Sequence, residues 1–249
     1  MFDPTATETL PCGGMGAVTS QPTRPAARRR RASHSLESVL TEAVAILDDG
    51  GGSALTFRAL AARLGGGVGS IYWYVSSRDE LLDRAADFAM ADVVTAIEPV
   101  ATDDPIDDIR TIAIATFDAI VDRPWLGAYL MRDTVVQTNS LQIYEKIGQN
   151  VMRLGLTPRE AFHATSAVVG FVIGTAADMG QELPEAVLSG ELDRDIYLAR
   201  AAQQWRDLDP DQFPFIHYIV EEFAVHQDVE QFCAGLELIL AGLKLQAAG

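Results

Sequence analysis

Apolar positions recur at helical spacing from residue 36 onward. Leu36, Val39, Leu40, Ala43, Val44 and Leu47 keep the period until Asp48-Asp49-Gly50-Gly51-Gly52 interrupts it, which predicts a first amphipathic helix closed by that break. Thr56 is placed to cap a second helix. Its Phe57, Leu60, Ala61 and Leu64 form a stripe over about two turns before Gly65-Gly66-Gly67 ends it. The run Val68 to Val75 is too short to stand alone as a helix but sufficient for one packed on the previous two. Ser77 and Glu80 hold capping-box positions ahead of Leu81-Leu82, so a fourth helix starts at Arg78.

The remainder also reads as helical. Asp104-Pro105 opens a helix to about Asp122, Pro124-Trp125 a short one, and Ser140 to Leu154 another that Gly155 ends. Thr157-Pro158-Arg159-Glu160 is a second capping box with proline at the first helical position. It opens the longest helix, to about Glu182, which spans about 37 Å. Ala164, Val168, Val169, Phe171, Val172, Ile173 and Ala176 make it apolar on most sides, so its own domain and a further surface should bury it. Asp193 to Arg206, Phe213 to Val225 and Asp228 to Leu245 complete the chain, with Asp228 and Gln231 in capping-box positions. The expected class is all-α.

Composition changes this picture in one respect. The 249 residues carry 19 Lys plus Arg against 35 Asp plus Glu, a net charge of −16, which argues against coating nucleic acid or an anionic membrane with the whole surface. Residues 1 to 84, however, hold nine arginines and nine carboxylates, so the excess acid falls entirely on 85 to 249. A near-neutral segment joined to an acidic remainder fits a small DNA reader carried by a sensor or oligomerisation domain. Residues 1 to 32 lack an apolar period and end in Arg28-Arg29-Arg30-Arg31. They read as a disordered arm, serving either as a solvated tail or as a reach toward phosphate and minor groove. Met1 and Met15 both qualify as the start, since nothing between them looks structural.

Candidate chemistry is sparse. Cys12 and Cys233 are far apart, and His34, His163, His217 and His226 show no metal-ligand spacing. No GxSxG or Walker loop occurs, and the glycines at 65 to 69 follow a helix rather than a strand. No cofactor, metal or catalytic constellation is expected. No uninterrupted apolar run of membrane-spanning length and no export signal is found, so a cytoplasmic protein without membrane association is expected.

Three helices close in sequence, two of them separated by a glycine turn, form a helix-turn-helix arrangement. Leu55-Thr56-Phe57-Arg58-Ala59-Leu60-Ala61-Ala62-Arg63-Leu64-Gly65, followed by Gly69-Ser70-Ile71-Tyr72-Trp73-Tyr74-Val75-Ser76-Ser77-Arg78-Asp79-Glu80-Leu81-Leu82, resembles the DNA-binding domain of the tetracycline-repressor (TetR) family over residues 36 to 90. The resemblance implies that Thr56 and Arg58 stand at the start of the second helix, Arg58 as a base or phosphate reader. It places Val68, Gly69 and Ser70 at the start of the recognition helix, with Trp73 in the same segment. Tyr72 and Tyr74 would touch phosphates, and Arg78 replaces the family's usual lysine at the start of the fourth helix, where cation and helix N-terminus both favour phosphate. Ile71 and Val75 read as packing residues. The chain departs from the family at Gly66, Gly67 and Val68, which implies a loosely held recognition helix and base discrimination resting on Arg58, Ser70 and aromatic contacts to thymine methyls.

The resemblance further implies three segments: an arm over 1–32, a helix-turn-helix domain over 33–82 and a helical effector-binding and dimerisation domain over 83–249. The long helix from 158 and the final helix from 228 would pair with their symmetry mates in a homodimer that reads a near-palindromic double-stranded operator. Phe117, Trp125, Tyr129, Tyr144, Phe171 and Asp178 are candidates to line a pocket for a largely apolar small-molecule effector. The expectation is therefore a ligand-responsive regulator, a repressor released from its operator by that molecule. The rival readings are an apolar-ligand binding protein with a vestigial DNA domain and, with nothing in the residues to carry it, an enzyme using the same pocket.

Overall fold

The computed structural model describes residues 34–130, 137–179 and 193–248. The Arg28–Arg31 run and the expected last turn of the long helix, 180–182, lie outside them. Among the described residues there are twelve helices and no strand. They are α1 (Leu36–Ala54), α2 (Phe57–Arg63), α3 (Val68–Ile71), α4 (Arg78–Ala89), α5 (Ala91–Ile97), α6 (Pro105–Val121), α7 (Gly127–Leu130), α8 (Thr138–Arg153), α9 (Pro158–Met179), α10 (Arg194–Arg206), α11 (Pro214–Val225) and α12 (Asp228–Ala247).

Local chemistry accounts for most of these boundaries. Ser35 caps α1 through a reciprocal pair with Ser38, a signal the apolar period does not contain. The expected break is present inside α1, where Gly50 (φ −152°, ψ 16°) and Gly51 (φ 65°, ψ −171°) leave helical geometry. Thr56 Oγ1 accepts from the Ala59 amide at 3.1 Å, and Ser77 Oγ accepts from the Glu80 amide at 3.1 Å. The second half of that capping box is displaced by one residue: the Glu80 carboxylate takes the amide and hydroxyl of Ser76, at 2.7 and 2.5 Å, rather than the Ser77 amide. Thr157 and Glu160 form the full box at the start of α9. Asp228 is not a cap, because Gln227 precedes the first turn of α12 and Asp228 pairs with His226 at 3.1 Å.

One hydrophobic core runs from α1 through α9 and includes α12. Its centre is a stack in which Phe232 of α12 lies on Phe117 of α6, with centroids 3.6 Å apart, and on Phe171 of α9 at 5.6 Å. Each buried ring contributes about 1.5–3 kcal/mol by leaving water, so these three residues fix where α6, α9 and α12 meet. One buried charge crosses the same region. Asp108 accepts from the Thr102 amide at 2.8 Å and pairs with Arg153 at 2.6 Å, joining α6 to the end of α8.

α10 and α11 form a hairpin whose buried residues, Leu198, Ala202 and Val220, stand apart from that core. Trp205 stacks on Phe223 at 3.9 Å inside it, and Arg206 clasps Glu221 through two hydrogen bonds. α9 has the length and composition of a membrane span, yet it packs on α6, α8 and α12 as a core helix. Its outward side carries Ala167, Gly170 and Gly174.

Candidate DNA interface and effector cavity

The reader is built from α1 to α4. Leu60, Ile71, Val75, Leu81 and Leu82 are buried among these helices, so Ile71 and Val75 are packing residues as expected. Gly65 ends α2 at φ +66°, a backbone setting in which a side chain would be strained. That setting lets the Gly65 amide reach the Ala62 carbonyl and the Gly66 amide the Ala61 carbonyl, at 3.2 and 3.0 Å, and so turns the chain sharply into α3. α3 is a single turn. Ser70 Oγ donates back to the Gly67 carbonyl at 2.6 Å, and no side chain caps the helix.

The outer face of this unit holds most of the predicted DNA contacts together. Thr56, Arg58, Val68, Gly69, Tyr72 and Trp73 are exposed, Tyr72 to 57% and Trp73 to 88%. An edge-on contact with Phe57, 4.8 Å between centroids, steadies Tyr72 from α2. Leaving aromatic rings in water is costly unless something covers them. Among the described residues of α1 to α4, Arg58 is the arginine with no hydrogen bond or ion pair. Arg63 pairs with Asp49, Arg84 with Glu80, and Arg78 is held by backbone.

Two predicted phosphate contacts are engaged by the protein itself, Tyr74 while half-buried and Arg78 while exposed. Tyr74 is half-buried, and its hydroxyl donates to the His34 carbonyl, fixing the chain just before α1. Arg78 Nε donates to the Leu55 carbonyl at 2.8 Å, and its Nη2 donates to the Gly52 carbonyl. The guanidinium thus satisfies the carbonyls left open where α1 breaks, and pins the start of α4 to the end of α1.

The cavity lies where Met90, between α4 and α5, meets α6, α8 and α9. Thr116, Ser140, Ile143, Tyr144, Ile147, Val169, Val172, Ile173 and Leu130 complete its lining, and its volume is about 40 Å³. Among the described residues, no ionisable acid or base other than the Tyr144 phenol faces it. Thr116 Oγ1 is spent on the Ile112 carbonyl at 2.8 Å, and the Tyr144 hydroxyl sits 3.1 Å from Ser166 Oγ. This room suits a few water molecules, so a larger guest has to part the walls.

Of the six residues expected at a pocket, Tyr144 lines the cavity. Phe117 and Phe171 belong to the aromatic stack of the core, and Asp178 is exposed near the end of α9. Trp125 and Tyr129 stand instead against α1. The Trp125 indole donates to Asp48 at 2.7 Å and Arg123 lies 3.5 Å from the same carboxylate. A Cβ on Gly52 would run into the Tyr129 hydroxyl, so a larger residue there would push that ring aside. Met90, Thr116 and Ser140 line the cavity without having been expected there. Met90 is visible in retrospect as an apolar residue at the seam of α4 and α5, whereas the two hydroxyls carry no local signal.

Among the described residues, no three His, Cys, Asp or Glu side chains gather into a metal-binding group. Two family models match the chain: residues 39–85 fit "Bacterial regulatory proteins, tetR family" and residues 99–247 fit "Tetracyclin repressor-like, C-terminal domain". A solved structure of SCO7222, a TetR transcriptional regulator from Streptomyces coelicolor, is 35% identical with a TM-score of 0.70, covering 85% of this chain and 98% of that one. The repressor DrrR1 of Streptomyces coeruleorubidus is 25% identical over 222 residues, 86% of this chain and 78% of that protein. An HTH-type transcriptional regulator of Saccharopolyspora erythraea is 28% identical over 165 residues, 66% of this chain and 68% of that protein. ActR of Streptomyces coelicolor, solved in complex with actinorhodin, shares the fold at a TM-score of 0.72 and 21% identity, covering 87% of this chain and 99% of that one. The all-helical architecture, the helix-turn-helix unit and matches to both halves of the chain converge: the protein belongs to the TetR family of bacterial regulatory proteins.

Proposed function

We propose that the protein is a cytoplasmic, homodimeric repressor that leaves a near-palindromic operator when a largely apolar small molecule enters the cavity between α4, α6, α8 and α9. The observation that carries this reading is the outer face of α2 and α3, where unpaired Arg58 stands with exposed Tyr72 and Trp73. Arg58 supplies a charge for a phosphate or guanine, and the rings supply apolar area for sugar edges and thymine methyls. α1 to α4 form the reader, and the helices from α5 onward form the effector and dimer part. Arg78 and Tyr74 act within the reader as braces.

The dimer face is assigned to α9 and α12. Their outward sides carry Gly170, Gly174 and Gly242, where a Cβ would meet nothing within 4 Å, beside Leu238 and Leu245, each 77% exposed. Small residues flanked by leucines suit close helix packing against a second copy. The repressor reading draws on DrrR1, and the effector reading on ActR, which was solved with actinorhodin and with (S)-DNPA. The cavity lining favours an uncharged molecule bearing one or two hydrogen-bonding groups.

Fluorescence anisotropy with DNA from upstream of the protein's own gene tests the reading. Binding that weakens steeply with salt supports it, because phosphate contacts release counterions. Absent or salt-independent binding rejects it. Actinorhodin and (S)-DNPA are suitable first probes for release.

A further inference from the structure

α8 lacks a cap of its own. Gln137 precedes its first turn and makes no capping hydrogen bond, although the first amides of any helix need partners. Asp87, on the last turn of α4, supplies them. Its carboxylate accepts from the Asn139 amide at 3.2 Å, from the Ser140 amide at 3.0 Å and from the Ser140 hydroxyl at 3.2 Å. The Asn139 side chain returns a bond to the Asp87 carbonyl at 2.9 Å. A carboxylate at a helix N-terminus is held by the peptide dipoles as well as by these bonds.

α4 is therefore pinned at two places about 14 Å apart along its axis, Arg78 on the end of α1 and Asp87 on the start of α8. Ser140 and Met90 both line the cavity, and Met90 lies one turn beyond Asp87. Because the cavity is about 40 Å³, a guest larger than a few waters has to displace lining residues, and these two belong to the walls that Asp87 joins. Resting on the effector reading above, we propose that Asp87 is the positioning residue through which cavity occupancy reaches the reader. A ligand acceptor that takes the Ser140 hydroxyl exchanges its bond to Asp87 for its own, and bulk that presses Met90 away from α8 strains the two amide bonds that remain, loosening the hold of α8 on α4.

The test uses the full chain, with DNA selected by the wild-type protein from a random-sequence pool. Val169→Phe, at a half-buried lining position, serves as a permanent occupant. It is expected to weaken DNA binding about tenfold, within the usual range of allosteric coupling, and to speed deuterium exchange at the Asn139 and Ser140 amides. Combined with Asp87→Asn, or with Ser140→Ala, which keeps both amides capped and so guards against misfolding, the further loss should fall below about twofold. A full tenfold loss in both backgrounds overturns the role of Asp87 and leaves the effector reading standing. No loss from Val169→Phe alone overturns both. A purely structural Asp87 would lower the melting temperature of Asp87→Asn while leaving the response to Val169→Phe intact.

Discussion

The Trp125 indole donates to the Asp48 carboxylate at 2.7 Å, so a residue from the loop before α7 holds the end of α1 in place. Arg123 backs the same carboxylate, and Tyr129 rests against Gly52, about one turn beyond Asp48. The reader is thus clasped to the helices behind it from one side by Asp48 and from the other by Asp87.

Trp125→Phe keeps most of the ring area and removes the donor. The expected cost is about 1 kcal/mol of stability, together with weaker operator binding because α1 loses its lateral support. Melting and anisotropy on the same variant check this, and a variant with unchanged DNA affinity would show that the clasp does not position the reader.

Arg78 and Arg58 should separate cleanly. Arg78→Ala leaves the Gly52 and Leu55 carbonyls without their guanidinium and should cost about 1–3 kcal/mol, a fall of several degrees in melting temperature for a chain of this size. Its dependence of log K on log salt should stay close to wild type. Arg58→Ala should melt normally and lose about one unit of that slope.

Gly127 lets α7 lie directly on α9. A Cβ there would sit 2.8 Å from Ala177 Cβ and 2.9 Å from Ala177 Cα, and a backbone atom cannot swing aside. Gly127→Ala should therefore destabilise by about 1–3 kcal/mol, read by denaturant unfolding.

Asp108 gives the molecule an acid limit. Burial pushes its carboxyl upward, but the Thr102 amide and hydroxyl and the Arg153 guanidinium outweigh that and hold it below its ordinary value of 3.8. A lowered folded value means that the contribution is complete above about pH 4 and is lost as pH falls through the folded value. Asp108→Asn should flatten that part of the stability profile, and it should cost about 2–4 kcal/mol near neutrality because Arg153 loses its buried partner. Urea unfolding from pH 7 to pH 3 measures both.

The proposed dimer face predicts that Leu238→Arg yields a folded monomer in sedimentation with operator binding strongly reduced, since two readers would no longer arrive together. A dimer that persists would place the interface elsewhere.

Residues that act within one helical turn were readable from the sequence. Thr56, Ser77, Asp104, Thr157 and Asp193 cap helices that begin where their spacing requires, and the Gly50-Gly51 break falls where the apolar period stops. The start of α8 was misplaced at Ser140 because its cap comes from Asp87, 52 residues earlier for Asn139. The same limit explains Arg78, Tyr74, Trp125 and Tyr129. Their residue types announce a hydrogen bond or a ring contact, but the partner lies on another helix, and only packing decides whether that partner is a phosphate, a ligand or a backbone carbonyl.

The three tryptophans also make the protein its own spectroscopic instrument. Trp73 stands 88% exposed on the reader, Trp125 is bonded at the clasp and Trp205 is stacked on Phe223 in the hairpin. The exposed Trp73 should emit reddest, and the half-buried Trp125 and Trp205 further to the blue. Covering the reader with DNA should extinguish or shift the Trp73 component, while loosening the clasp should alter the Trp125 component, so single-tryptophan variants can time the two events separately without any attached label.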